Sequence, residues 1–203
     1  MIHHHALAAL QPALTYYFTP ANKAAWLALF TDVASSTAQL EALYLELTAT
    51  RPDLRPYAQA GLAKPPCVIA QLTARRVTDR PLGGTWNGGE SLISEQSATL
   101  EIMARGADEA DALAYTVLKA LQQARGDFLA NGYIYIETGT MSELAPHETL
   151  SAEELGVYVR RLEMRGRVME GVTRLGAWDS TLGPLTIGLT PAGRVEPLTH
   201  SEF

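Results

Sequence analysis

The chain has 203 residues and a mass of 22.0 kDa, the size of one domain, or of one domain carrying a small appendage. At 47% hydrophobic and 19% charged it is apolar enough to bury a core, which excludes global disorder. With 16 Lys and Arg against 22 Asp and Glu, the net charge is -6, which argues against a protein whose main task is to coat nucleic acid.

The single cysteine, Cys67, can neither close an intramolecular disulfide nor build a multi-cysteine zinc site, so the chain fits a reducing compartment. The densest apolar run, Ala24 to Phe30, falls far short of the roughly 20 residues that a membrane span needs. The first 22 residues carry no Lys, Arg, Asp or Glu, yet they lack the basic start of a signal peptide, and Gln11-Pro12 interrupts their apolar stretch. The expectation is a soluble protein of the cytoplasm, or of a particle assembled there.

In chain order, Ala6 to Phe18 reads equally as a short helix or an extended arm. Thr19-Pro20 is a helix start, with a hydroxyl at the N-cap and proline at the first helical position. Trp26, Leu29, Phe30, Val33, Thr37, Leu40, Tyr44 and Leu47 then recur at steps of three and four, which places them on one helical face. Ser36 followed by Gln39 has the form of a capping box and suggests a break into two helices near Ser35-Ser36. Arg51-Pro52 ends this region, and Pro56 keeps it ended.

After Pro65-Pro66 the period changes to two. Val68, Ala70, Leu72 and Ala74 alternate with Ile69, Gln71, Thr73 and Arg75, the pattern of a strand. A glycine-rich tip holds Gly83, Gly84, Trp86, Gly88 and Gly89, and a second strand returns from about Leu92 to Arg105. Gly106 closes it. Asp108 is placed to cap a helix whose apolar stripe is Ala110, Ala114, Val117, Leu118, Leu121 and Ala124. Asp108, Glu109 and Asp111 load its first turn while Lys119 and Arg125 lie toward its end, as the helix dipole prefers. Asn131-Gly132 turns into a third strand, Tyr133 to Thr138, and a polar segment follows to Leu155.

The fourth strand, Val157 to Met169, is the most informative. Leu162, Met164 and Val168 point one way, and Arg161, Glu163, Arg165 and Arg167 the other. Such a strand packs helices on one side of its sheet and meets water or a partner on the other. Residues 173–203 are rich in Gly and Pro, with one short strand suggested at Leu185 to Leu189. They are too poor in periodic apolar residues to fold alone and should order by docking on another chain.

This order predicts an α+β fold: a mainly antiparallel four-stranded sheet with helices on one face. Residues 1–64 form a helical region, 65–172 the core, and 173–203 a C-terminal extension.

Chemistry is hard to find in these residues. The glycine tip has neither the Lys-Ser/Thr pair of a P-loop nor the strand-to-helix setting of a dinucleotide site. His3, His4 and His5 have no carboxylate or cysteine at ligand spacing and read as a flexible end. His147 and His200 are isolated. Cys67 with His147 as base is a conceivable nucleophile pair, but Cys67 begins an apolar strand, where a thiol is usually a small buried hydrophobe. Asp108, Glu109 and Asp111 are explained by the helix start, and no GxSxG elbow exists. No catalytic, cofactor-binding or metal-ligating residue is nominated. A third reading, an enzyme or small-ligand binder, lacks its nucleophile, base or metal set.

A hairpin ending in Gly106, an acidic helix start Asp108-Glu-Ala-Asp-Ala-Leu, a helix of about five turns, a short strand, a polar excursion and the strand Gly156-Val-Tyr-Val-Arg-Arg-Leu-Glu-Met-Arg-Gly-Arg-Val follow one another. Over about residues 36–172 this order resembles the tail terminator (tail-to-head joining) proteins of long-tailed bacteriophages. The resemblance implies a non-enzymatic virion subunit, made in the host cytoplasm, that forms a homohexameric ring. Such a ring caps the tail tube and offers a surface to the neck or connector protein. DNA passes through it without sequence-specific reading, and it has no membrane and no cofactor. Arg161, Glu163, Arg165 and Arg167, with Trp86 at the tip and Arg75, Arg76 and Asp79 leading into it, would then line either the seam between subunits or the DNA channel. A neck adaptor, head-completion or sheath-capping protein is the neighbouring alternative.

Overall fold

The computed structural model describes residues 1–32, 36–79, 85–86, 89–146 and 156–172. It is a mixed α/β fold on one sheet. The strands are β1 (Asp53–Pro56), β2 (Cys67–Asp79), β3 (Thr85–Trp86), β4 (Gly89–Ala104), β5 (Tyr133–Met141), β6 (Ala145–Pro146) and β7 (Tyr158–Val172). The sheet order is β1-β2-β4-β7-β5, with β3 added to β4 and β6 to β7. The four expected strands are present as adjacent antiparallel neighbours. The expectation of four strands is corrected to a five-stranded path, because β1 pairs with β2 in parallel, Asp53 opposite Cys67. Two prolines in a stretch this short had marked only the end of a helix. The glycine tip is also not wholly loop, since Thr85 and Trp86 pair with Glu90 and Gly89.

The helices are α1 (Ile2–Tyr17), α2 (Lys23–Ala28), α3 (Thr37–Thr50), α4 (Ala107–Gln123) and α5 (Arg125–Ala130). The N-terminal segment is thus helical, and His3, His4 and His5 lie inside α1 rather than on a flexible end. α1 contains no Lys, Arg, Asp or Glu, and periodic burial of Ile2, Ala6, Leu10, Leu14 and Tyr17 seats the helix on the sheet. Its first turn is fixed by the Ile2 amide, which donates to the Gln96 side-chain oxygen at 2.8 Å in the interior. Ile2 also closes over Gly166: a Cβ built there would stand 2.9 Å from Ile2 Cδ1 and 3.0 Å from Tyr133 Cδ1, so these side chains would have to shift to admit one.

Thr19 does precede a helical start, but its hydroxyl donates back to the Thr15 carbonyl and caps nothing; a 3-10 turn, Pro20–Asn22, leads into α2. Ser36 is the N-cap of α3, its Oγ accepting from the Gln39 amide while donating to Gln39 Oε1. The α3 helix ends at Arg51, which adopts a positive φ of 50°. Asp108 is not the cap of α4. Gly106 holds that position, and the buried Glu109 carboxylate reaches back to accept from the Arg105 amide at 2.9 Å. The helix stops at Gln123, and Arg125 opens α5. Gly132, at φ 84°, makes the turn into β5 that a Cβ would oppose.

One cluster joins these parts, from Ile2 and Leu10 through Trp26, Tyr44 and Leu113 to Leu162 and Met164. Trp26 is fully buried, its Nε1 donating to Thr116 Oγ1 at 2.9 Å, with the rings of Phe30 and Tyr44 at 4.6 and 5.3 Å. Burying such a side chain is worth about 2–3 kcal/mol, so the N-terminal helices are part of the core. The expected strand at Leu185 to Leu189, and the rest of 173–203, lie outside the described residues.

Candidate functional site

Helices cover one face of the sheet. On the other, the register brings together side chains from four strands. Arg76, Glu95, Arg167 and Tyr135 stand opposite one another across β2, β4, β7 and β5. The next outward rank along β4 and β7 is Ser97 and Arg165, with Glu137 on β5. Thr99 and Glu163 follow, then Glu101 and Arg161. Arg161, Glu163, Arg165 and Arg167 therefore share one open face, as their alternation predicts.

Arg75 does not join them. A bulge between Leu72 and Ala74 inserts Thr73 and reverses the parity of the strand, so Arg75 stands opposite Gln96 on the helix side and Arg76 opposite Glu95 on the charged side. Asp79 pairs opposite Ile93, and Trp86 opposite Gly89; their side chains lie outside the described set. Glu95, Glu101, Glu137 and Tyr135 belong to the face although sequence reasoning did not nominate them. The signal was available for Glu101, which alternates with buried Leu100 and Ile102, but the pairing that opposes each Glu to an Arg needed the register.

Among the described residues the charges balance along the face. Arg76, Arg161, Arg165 and Arg167 stand against Glu95, Glu101, Glu137 and Glu163, and Arg55 pairs with Asp53 at its β1 edge. Arg161 Nε donates to Glu101 Oε1 at 3.0 Å across the strands, and Arg165 lies 3.8 Å from Glu163 along β7. Tyr135 donates to Glu137 at 2.8 Å, and that bond, first among the causes, raises the phenol above its ordinary range. Small side chains in the middle leave a shallow trough of about 270 Å³, between Thr73, Ser97 and Thr99 on one side and Glu163 and Arg165 on the other.

The same face is apolar at one end. Cys67, Ile69, Met103, Val157 and Val159 form a second cluster beneath Ala60 and Ala63, which belong to or adjoin the 3-10 segment Tyr57–Leu62. Burial, then the nearby Asp53 carboxylate, pushes the Cys67 thiol up to about 12. It is protonated and enclosed at neutral pH, the opposite of a nucleophile's setting. His147, its nominal base, lies outside the described residues, as does His200. Among the described residues no three His, Cys, Asp or Glu side chains are grouped to hold a metal ion, and no helix is long and apolar enough to cross a membrane.

On the helix side, a cleft of about 360 Å³ opens between α3 and α4. Phe30, Leu40 and Ala112 form its buried floor, and Leu43, Tyr115 and Met141 its half-buried walls. Asp108, Asp111 and Arg160 stand at the rim. Arg160 donates to Asp111 Oδ1 and to the Ser142 carbonyl, each at 2.6 Å, and the Asp111 bond is the main cause of its raised pKa.

No protein-family model matches the chain, and no curated protein matches it. In fold it is similar to a chain from the structure of the virion of a native gene transfer agent (GTA) particle. The TM-score is 0.35 and the identity 14%, over 70% of this chain and 92% of the other. A likeness of that degree carries no conclusion about this chain.

Proposed function

We propose that the chain is a structural virion protein, a tail terminator that assembles as a ring on the end of a phage tail tube and joins it to the neck. The single observation that carries the assembly reading is the open sheet face, where positive and negative side chains are matched in number and opposed across strands. A surface that binds DNA gains its affinity from an excess of Lys and Arg that displaces counterions. Balanced charge instead suits a protein surface, where pairs of both signs set register and reject wrong neighbours. The tail terminator assignment itself comes from the order of elements over residues 36–172, which resembles that family. In this reading the face belongs to the seam between subunits, and passing DNA meets other parts of the ring. The chain performs no reaction.

Light scattering on the purified chain, alone and mixed with tail tubes, tests this. A ring of six copies, or capped tubes in electron micrographs, is expected. A chain that stays monomeric and binds neither tubes nor neck rings ends the proposal. Cross-linking to the portal side with none to the tube would move it to a neck adaptor or head-completion role.

A further inference from the structure

The cleft between α3 and α4 opens the helix side of the core to solvent, and we infer that it receives residues 173–178 of a second copy, with Trp178 seated against Tyr115 and Leu43 and Arg174 facing Asp108. The inference rests on the self-assembly reading above and names its contact. The cleft has an apolar floor and an acidic rim where Arg160 is already engaged with Asp111, which leaves Asp108 facing solvent. Residues 173–178 read Thr-Arg-Leu-Gly-Ala-Trp, an aromatic anchor four positions after a cation. Of the three tryptophans, Trp26 is consumed by the core.

Reach decides which copy supplies the segment. Val172 and Arg160 lie on the same strand, about 40 Å apart at the rise of an antiparallel strand. Residues 173–178, even fully extended, span only about 20 Å. Trp178 therefore cannot return to its own cleft. An anchor at one end of the sheet and a receptor at the other make a head-to-tail contact, the heterologous kind that closes into rings.

Two full-length chains, both Cys67→Ala, are mixed under mild oxidation, with tail tubes added in a parallel sample. One carries Ala177→Cys, which leaves the Trp178 anchor in place, and the other Leu43→Cys. A disulfide-linked pair is expected, and none with a Thr99→Cys chain, whose thiol lies on the opposite face of the sheet. Equal yield with Thr99→Cys, or no linked pair in either sample, overturns the inference. Separately, Trp178→Ala should weaken self-association roughly thirtyfold, as the loss of an interface hot spot does; an unchanged association constant also overturns it. The ring reading fails by a different result: a linked head-to-tail pair that forms open filaments and ignores tail tubes would leave this contact standing without it.

Discussion

The two sides of β7 differ in what they demand of their residues. On the helix side Leu162 and Met164 are completely buried and Val168 nearly so, and Gly166 between them leaves room for Ile2. On the other side Arg161, Glu163, Arg165 and Arg167 are exposed, and their ion pairs are of the solvent-screened kind that contributes little to stability. The strand needs its inner residues in order to fold. It does not need its outer ones, and the proposed assembly through this face would account for their matched arrangement across four strands. A solvated face of arbitrary charge would serve folding equally well.

This contrast can be broken from the buried side first. Trp26→Ala should cost about 3–5 kcal/mol in urea unfolding, since it leaves a cavity and removes the indole donor from Thr116 Oγ1, which keeps only its own bond to the Ala112 carbonyl. Gly166→Ala should cost about 1–3 kcal/mol, because its methyl group would push the Ile2 and Tyr133 side chains out of their places in a packed interior. A loss under 0.5 kcal/mol at Gly166, on the scale of a neutral surface change, would show that α1 is not docked as described.

Acid provides a graded test of the same docking. His3 and His5 have pKa values lowered chiefly by burial, and their Nδ1 atoms are enclosed without hydrogen-bond partners among the described residues. Above the ordinary histidine value of 6.5 both rings are neutral, folded or unfolded. As the pH falls below it, the unfolded chain takes up protons that the folded chain resists, so stability declines toward the lowered values. A double variant, His3→Gln with His5→Gln, should flatten that part of the profile in thermal melts.

The smallest effects on folding belong to the charged face, where they separate folding from assembly. Glu101→Gln should change stability by no more than about 1 kcal/mol although it breaks the best ion pair there. Arg165→Glu with Arg167→Glu should leave the urea midpoint within about 0.5 kcal/mol of wild type while abolishing assembly on tail tubes. If that double variant caps tubes normally, the face is only a solvated surface.

Much of the sheet was legible because each long strand buries one side only. The alternation in β7 specified both its faces, and the steps of three and four from Trp26 to Leu47 marked residues that mostly reach the core. What escaped had no periodic signature. β1 is four residues long, ends in proline, and is held by a parallel partner whose identity lies in the fold. The cap position of α4 fell to Gly106 rather than Asp108, and the carboxylate that turns back to the Arg105 amide is that of Glu109, as the path of the chain through Gly106 dictates. The charged site was half visible. Its arginines cluster on one strand, whereas Glu95, Glu101 and Glu137 are scattered along the chain and meet them only through pairing.

The extra residue in β2 carries a consequence for how such a surface can change. Because Thr73 is accommodated as a bulge, the strand before it keeps Val68 and Ala70 in the interior, while the strand after it is free to present either parity. Removing Thr73 alone would exchange the outward places of Arg75 and Arg76 and shift the lattice offered to a neighbour, with Val68 and Ala70 left where they are. One codon lost or gained there would redraw the charge pattern of the open face with the interior residues ahead of the bulge unmoved.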